Sequence, residues 1–122
     1  MTPAQRRSML GLVLFLATGT AIVQWWAGRQ EQDIGQRMAA LAKPGDIRML
    51  SSTTCGICTA ARLWMTRQQV PFDECFIERD DACADQFRAT LAPGTPVIIV
   101  KGKATVGFNP KRLLDQLAAG GT

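Results

Sequence analysis

The stretch from Asp46 to Gln69, with the sequence DIRMLSSTTCGICTAARLWMTRQQ, carries the strongest indication of the fold. Its first part, Asp46 to Ser52, has the apolar content of a short strand and ends in a small polar cluster. The part from Cys58 to Gln69 has an apolar side and predicts a helix, which the following Val70-Pro71 closes. A Cys-x-x-Cys motif, Cys55 to Cys58, lies at the junction, so two thiols are expected where a strand feeds a helix.

Cysteine is the chemical candidate because the chain has no histidine. That absence excludes His-based triads, imidazole bases and histidine metal ligands. We expect Cys55 near the amino terminus of the helix, where unpaired N–H groups and the helix dipole lower the pKa of its thiol below the free value of about 8.5. Cys58 is expected about one turn deeper on the same side. Cys55 is therefore predicted to be the attacking nucleophile and Cys58 the resolving thiol of a mixed disulfide.

The rest of the domain follows as alternating strands and helices. The patterns predict a strand at Phe72–Ile77, a helix from Asp80-Asp81 to about Leu91, a strand covered on both faces at Val97–Val100, a returning strand at Ala104–Val106, and a last helix from Asn109-Pro110. The order βαβα-ββα predicts an α/β fold, a three-layer sandwich with two parallel strands joined by a crossover helix and followed by a hairpin and a final helix.

Charge argues against a nucleic-acid partner. The formal net charge is +4, and fourteen basic residues are scattered among ten acidic ones. Such a surface has no basic stripe, so we expect no binding to nucleic acid.

The amino-terminal segment has the character of a membrane span. Residues 8–28 carry no charge, follow Arg6 and Arg7, and end near Trp25 and Trp26, where amphipathic rings favour the membrane interface. The alternative is a cleaved signal peptide, because the basic start, the apolar stretch and the small residues near its end resemble a processing site. Both interpretations export the rest of the chain.

Export defines the expected location and the domain boundaries. In a bacterium, a retained anchor would be a single pass through the inner membrane, with the amino terminus in the cytoplasm and the redox domain in the periplasm. Residues 8–28 would then contact the lipid bilayer. We expect an anchor or signal segment at 1–28, a linker helix at 29–45 ending in Pro44-Gly45, and a domain at 46–119.

Thr95-Pro96 lies just before the strand at 97–100. A cis proline there would bring the Thr95 backbone beside the dithiol to pair with an extended substrate, whereas an ordinary trans proline in a loop is the simpler alternative. The dipeptide alone favours the trans form.

With these residues in place, the part from 46 to 119 resembles the glutaredoxins of the thioredoxin-fold superfamily. The resemblance rests on the strand-Cys-x-x-Cys-helix start, on Thr95-Pro96, and on Gly107-Phe108-Asn109-Pro110. It implies a thioredoxin fold and thiol-disulfide oxidoreductase activity on protein or small-molecule thiols and disulfides, with Pro96 in the cis position facing the two catalytic cysteines. The substrate-binding residues that it implies are Thr54, Gly56, Ile57, Thr95, Gly107, Phe108 and Asn109.

The sequence departs from the glutaredoxin pattern in two places that concern glutathione. Residues 51–54 offer no lysine where many glutaredoxins have a basic residue, and Asn109-Pro110 replaces the usual acidic pair that holds the glutathione amine. The stretch from Gly107 to Pro110 is more similar to that of the glutaredoxin-like donors that thioredoxin reductase recharges. We expect no resident cofactor, with glutathione as one candidate co-substrate and a dithiol protein as the other.

Cys75 and Cys83 form a second pair, which is read in two ways. A structural disulfide closing this short loop suits an oxidising compartment, and two separate buried thiols are the alternative, because sequence does not give the Cα separation that bridging requires. Neither is expected to be catalytic.

The rival function is a metal or iron-sulfur module in which all four cysteines are ligands, although the gap from Cys75 to Cys83 is wider than zinc knuckles prefer. We expect no metal. A further alternative is a non-catalytic membrane adaptor, against which the retention of both motif thiols argues.

Overall fold

A computed structural model describes residues 2–120 of the chain. It divides into two compact units, one ending at Gln32 and one beginning at Asp33. Its elements in chain order are α1 at Pro3–Leu41, β1 at Ile47–Ser51, α2 at Gly56–Arg67, β2 at Asp73–Phe76, α3 at Asp81–Ala89, β3 at Val97–Val100, β4 at Lys103–Val106 and α4 at Pro110–Ala119. The order after α1 confirms the predicted βαβα-ββα arrangement.

The first unit consists of the amino-terminal part of α1. By length and hydropathy α1 is a candidate membrane span, and its most apolar window is fully exposed within the structure. A signal sequence has the same properties, so the helix alone does not separate the two interpretations of this segment. The helix continues without a break to Leu41, so the expected anchor and the expected linker helix are parts of one element.

The second unit contains a four-stranded sheet in the order β2-β1-β3-β4. β1 and β2 are parallel, whereas β3 is antiparallel to both β1 and β4. The carboxyl ends of β1 and β2, the amino end of β3 and the carboxyl end of β4 therefore meet at one edge of the sheet. We call this the active edge, because the loop that carries the Cys-x-x-Cys motif leaves β1 there.

Hydrophobic side chains cover both faces of the sheet. The larger core cluster packs α2, α4 and the end of α1 on one face. The smaller cluster lies under α3 on the other face and combines Leu50, Val97 and Cys83 with partly buried neighbours that include Phe87. Helices on both faces of a mixed sheet confirm the predicted three-layer α/β sandwich.

The end of α1 belongs to the core of the second unit. Met38 is fully buried there and packs in the larger cluster, and Ala42 follows it. Gly35 is also buried, and a Cβ at this position would lie 2.1 Å from the Gln68 side-chain oxygen. The compact unit thus begins before the expected boundary at residue 46, because part of the expected linker supplies core side chains.

Several helix boundaries differ from the predicted ones by about two residues, for local reasons; α2, for example, ends at Arg67 instead of near Gln69, which has a φ of 58°. α2 begins at Gly56 instead of Cys58, because Cys55 caps its first turn. α3 ends at Ala89 instead of near Leu91, because Leu91 has a φ of 58°, in the left-handed region that a helix cannot use. The Thr90 hydroxyl donates a hydrogen bond to the Phe87 carbonyl and helps to close this turn.

Candidate active site

The first turn of α2 is built around Cys55. This residue is the N-cap, with extended dihedral angles of φ −102° and ψ 107°. Its Sγ accepts a hydrogen bond from the backbone N–H of Cys58 at 3.0 Å. The sulfur therefore takes the place of the oxygen that usually caps a helix, and it lies at the positive end of the helix dipole.

The two motif cysteines form a disulfide, with their Cα atoms 5.3 Å apart. Cys55 is partly exposed, whereas Cys58 is completely buried. The Cys55 sulfur is therefore the one that an incoming thiol or disulfide can reach. This asymmetry matches the roles expected for a nucleophile and a resolving thiol.

Thr95-Pro96 and the segment after β4 lie together at the active edge. The Thr95-Pro96 peptide bond is cis, and Pro96 is fully buried. The Pro96 carbonyl accepts a hydrogen bond from the Gly107 N–H at 2.8 Å, which extends the pairing of β3 with β4. Gly107 has a φ of 86°, which favours glycine at this turn.

Phe108 links this segment to α2. Its ring packs edge-to-face against Trp64 of α2, with ring centroids 5.6 Å apart. Asn109 caps α4, since its side-chain oxygen accepts from the Arg112 N–H at 3.1 Å. The structure thus brings residues 107–109 alongside the helix that carries the dithiol.

The remaining expected substrate-binding residues lie in or beside the motif. Thr54 and Gly56 are exposed on either side of Cys55, and Ile57 is 58% exposed between the two cysteines. An apolar side chain so exposed at the mouth of the site offers a contact surface to a partner.

Sequence reasoning missed Glu78, which lies just after β2 at the active edge. Its carboxylate accepts hydrogen bonds from the Ser52 hydroxyl and from the Thr53 N–H, the latter at 3.1 Å. The Ser52 hydrogen bond is the main reason that the pKa of Glu78 is lowered; desolvation opposes it, and the Thr53 N–H adds a smaller contribution in the same direction as Ser52. The carboxylate therefore holds the loop that leads to Cys55.

A second polar cluster also escaped the sequence analysis. The Glu74 carboxylate accepts from the Ser51 hydroxyl at 2.6 Å and from Arg62 Nε and Nη2 at 2.5 and 2.9 Å. Burial of the Glu74 carboxyl favours its neutral form, but the hydrogen bonds from Arg62 and Ser51 outweigh it and lower the pKa of Glu74. Because Arg62 belongs to α2, Glu74 to β2 and Ser51 to β1, this cluster ties α2 to the sheet.

Cys75 and Cys83 are joined in a disulfide between β2 and α3, with a Cα separation of 6.0 Å. Cys83 is fully buried, and Cys75 is partly exposed with Arg48 Nη2 at 3.5 Å from its sulfur. The Cys83 N–H donates to the Asp80 carboxylate, which caps α3. This pair lies on the α3 face, on the other side of the sheet from α2.

The arrangement of the sulfurs bears on the rival metal function. Within residues 2–120, all cysteines are in disulfides and no cluster of three metal-ligating side chains occurs. A tetrathiolate would require both disulfides to be reduced and sulfurs from opposite faces of the sheet to meet. The geometry therefore favours disulfide chemistry at Cys55 and Cys58.

Comparisons with known proteins agree with this geometry. Residues 47–105 match the family model described as Glutaredoxin. A variant of the thioredoxin-like protein BC3987 aligns with a TM-score of 0.55 at 19% identity, over 61% of this chain and 96% of that one.

Two further solved structures are similar to this chain. The methanoredoxin of Methanosarcina acetivorans aligns with a TM-score of 0.51 at 23% identity, over 62% of this chain and 87% of that one. A buckwheat glutaredoxin-glutathione complex aligns with a TM-score of 0.50 at 16% identity, over 76% of this chain and 92% of that one. A search of curated protein sequences gave no significant match.

Proposed function

We propose that this chain, whose residues 47–105 match the glutaredoxin family model, is a thiol-disulfide oxidoreductase that exchanges disulfides through Cys55 and Cys58 on the extracytoplasmic side of a membrane. The observation that carries the assignment of roles is the hydrogen bond from the Cys58 N–H to the Cys55 sulfur. In the reduced protein the same N–H would stabilise the Cys55 thiolate, which is the nucleophilic form.

The reaction in the reducing direction has two steps. The Cys55 thiolate attacks one sulfur of a substrate disulfide, so a mixed disulfide forms and one substrate thiolate leaves. Deprotonated Cys58 then attacks the Cys55 sulfur, which releases the second substrate thiolate and leaves the Cys55–Cys58 disulfide. The substrate gains two electrons and the protein loses two. In the oxidising direction the same steps run in reverse.

The difference in burial between the two thiols supports a different role for each. Cys58 is completely buried, so an external disulfide meets Cys55 first, and Cys58 attacks from inside once the mixed disulfide has formed. All reacting atoms are the sulfurs of thiols and disulfides, so the proposed reaction needs no resident cofactor. The candidate reductants are a dithiol protein and glutathione, which differ in charge.

Single substitutions test the assignment. We expect Cys58→Ser to accumulate a mixed disulfide with a disulfide substrate, seen by mass spectrometry, because nothing resolves it. Cys55→Ser should form none. A Cys75→Ser/Cys83→Ala variant, which leaves the motif intact, serves as the matched control and should complete the exchange. Equal activity of the two single motif variants would overturn the proposed roles.

The membrane location is supported by the amino-terminal part of α1. The helix is long and apolar enough to span a bilayer, and Arg6 and Arg7 precede its apolar run, which favours a cytoplasmic amino terminus. At the far end Trp25 packs edge-on against Trp26, and the Arg29 guanidinium lies 4.0 Å from the Trp25 ring centroid. Aromatic and basic side chains together are typical of a membrane interface.

A reporter fusion tests the location. Alkaline phosphatase fused to the carboxyl terminus is expected to be active in a bacterial host, because it matures only outside the cytoplasm. Retention of the fusion in washed membranes would distinguish an anchor from a cleaved signal peptide. An inactive phosphatase, with a cytoplasmic reporter active in its place, would contradict the proposed orientation.

A further inference from the structure

We infer that Glu78 makes this active site discriminate against anionic thiols and disulfides, so that its preferred partners are neutral or cationic, such as protein cysteines flanked by lysine or arginine. The inference rests on the proposed function, since it concerns which substrates reach Cys55. It also bears on the reductant, because glutathione carries a net negative charge at neutral pH.

Strand pairing fixes Glu78 beside the reactive loop. β2 runs parallel to β1, and the Ile77 N–H donates to the Ser51 carbonyl at 2.9 Å, so the ladder continues to the residue before Glu78. Both carboxylate oxygens are then used, one by the Ser52 hydroxyl and the other by the Thr53 N–H. Thr53 is two residues from Cys55, which places their Cα atoms within roughly 7 Å of each other.

The segments around the dithiol carry no other fixed charge. Apart from the cysteines, residues 52–57, Thr95-Pro96 and residues 107–109 contain no ionisable side chain. Within residues 2–120, Glu78 is the charged residue that accepts hydrogen bonds from the loop before Cys55. A substrate that approaches Cys55 therefore meets a carboxylate bound to the loop before the motif, a loop that has no basic residue of its own.

Neighbouring cations offset this charge only in part. Arg79 lies next to Glu78, but its guanidinium lies over the Phe76 ring, 5.0 Å from the centroid. Arg62 lies over the same ring and is paired with Glu74. Glu78 itself is exposed, so water screens its electric field. At a distance of about 8 Å, its interaction with one charge on the substrate changes the rate of reaction at Cys55 by about twofold.

Three small disulfides of similar size test the inference on the reduced full-length protein in detergent. Cystamine is cationic, dithiodipropionate is anionic and hydroxyethyl disulfide is neutral. The second-order rate constant for oxidation of the Cys55–Cys58 dithiol is measured with each. The readout is the ratio of the cystamine rate to the dithiodipropionate rate, in which any general loss of loop order cancels.

Glu78→Gln is the informative variant, because an amide oxygen keeps a hydrogen-bond acceptor but removes the charge. We expect it to lower the ratio by about fourfold, twofold from each substrate, at low salt. In about 0.5 M salt, wild type and variant should converge. Asp73→Asn removes an equal charge at the other end of β2, away from the active edge, and should leave the ratio unchanged.

The outcomes separate the inference from the proposed function. A wild-type protein that reacts with hydroxyethyl disulfide, but whose charge ratio is the same in Glu78→Gln, would overturn the role of Glu78 alone. A change in Asp73→Asn as large as that in Glu78→Gln would do the same, because the effect would then follow net charge. Reduced wild type that reacts with none of the three disulfides would overturn the proposed function and this inference with it.

Discussion

Reduction of the Cys75–Cys83 disulfide should destabilise the second unit substantially. The smaller core cluster on the α3 face has three fully buried members, and one of them is Cys83 itself. α3 is nine residues long and provides the helical cover of that face, so the covalent link to β2 supplements a small core.

The magnitude follows from the size of the closed loop. The two cysteines are eight positions apart in the sequence. Loop-closure entropy for a loop of this length gives a stabilisation of about 2.5 kcal/mol at room temperature, provided that the disulfide acts mainly on the unfolded chain. With a urea dependence of about 1 kcal/mol per molar, the unfolding midpoint should fall by about 2.5 M on reduction.

The assay compares two redox forms of one protein. Cys55→Ser and Cys58→Ser remove the motif disulfide, so the remaining pair alone responds to reductant. Trp64 is in the core and reports unfolding by fluorescence, once Trp25 and Trp26 are replaced by phenylalanine. Urea titrations of the full-length chain in mild detergent, with and without dithiothreitol, then give both free energies of unfolding. Midpoints that agree within about 0.3 M would show that the disulfide does not stabilise the second unit.

Two other predictions concern the core and the polar cluster. Met38→Ala should destabilise the second unit by about 2 to 5 kcal/mol, because a fully buried side chain is lost. The control Met9→Ala, at a position 50% exposed in the first unit, should leave urea unfolding unchanged. Equal effects of the two substitutions would contradict the placement of Met38 in the core. Glu74→Gln should cost about 1 to 2 kcal/mol at neutral pH, because Arg62 loses its ionised partner. Since the pKa of Glu74 is lowered in the folded state, its contribution is present above the unfolded value of about 4.3 and is lost as the pH falls through the folded pKa; a wild-type advantage that grows on acidification would contradict this sign.

Local patterns were sufficient to predict most of the fold. The apolar run at 97–100, the turn residues and the strand before the Cys-x-x-Cys motif each report on their own few residues, and the structure confirms the elements that they predicted. The resemblance to glutaredoxins was carried by such local motifs and is confirmed by the match to the family model.

Long-range contacts could not be predicted in the same way. Glu78 contacts a loop about 25 residues earlier, and nothing in its own neighbourhood distinguishes it from a solvated surface carboxylate. The spacing of Cys75 and Cys83 left two alternatives open, because Cα separation depends on how α3 lies against β2. The core position of Met38 could not be predicted for a similar reason, since the sequence predicts a linker helix at 29–45 but not which surface covers it.

The proposed chemistry depends on activation of the Cys55 sulfur by the start of α2. Its most direct test is the rate of alkylation of Cys55 by iodoacetamide as a function of pH, measured in reduced Cys58→Ser, which keeps the backbone N–H that the sulfur accepts. The account predicts half-maximal reactivity well below the free-cysteine value of about 8.5. Half-maximal reactivity at or above that value would contradict it.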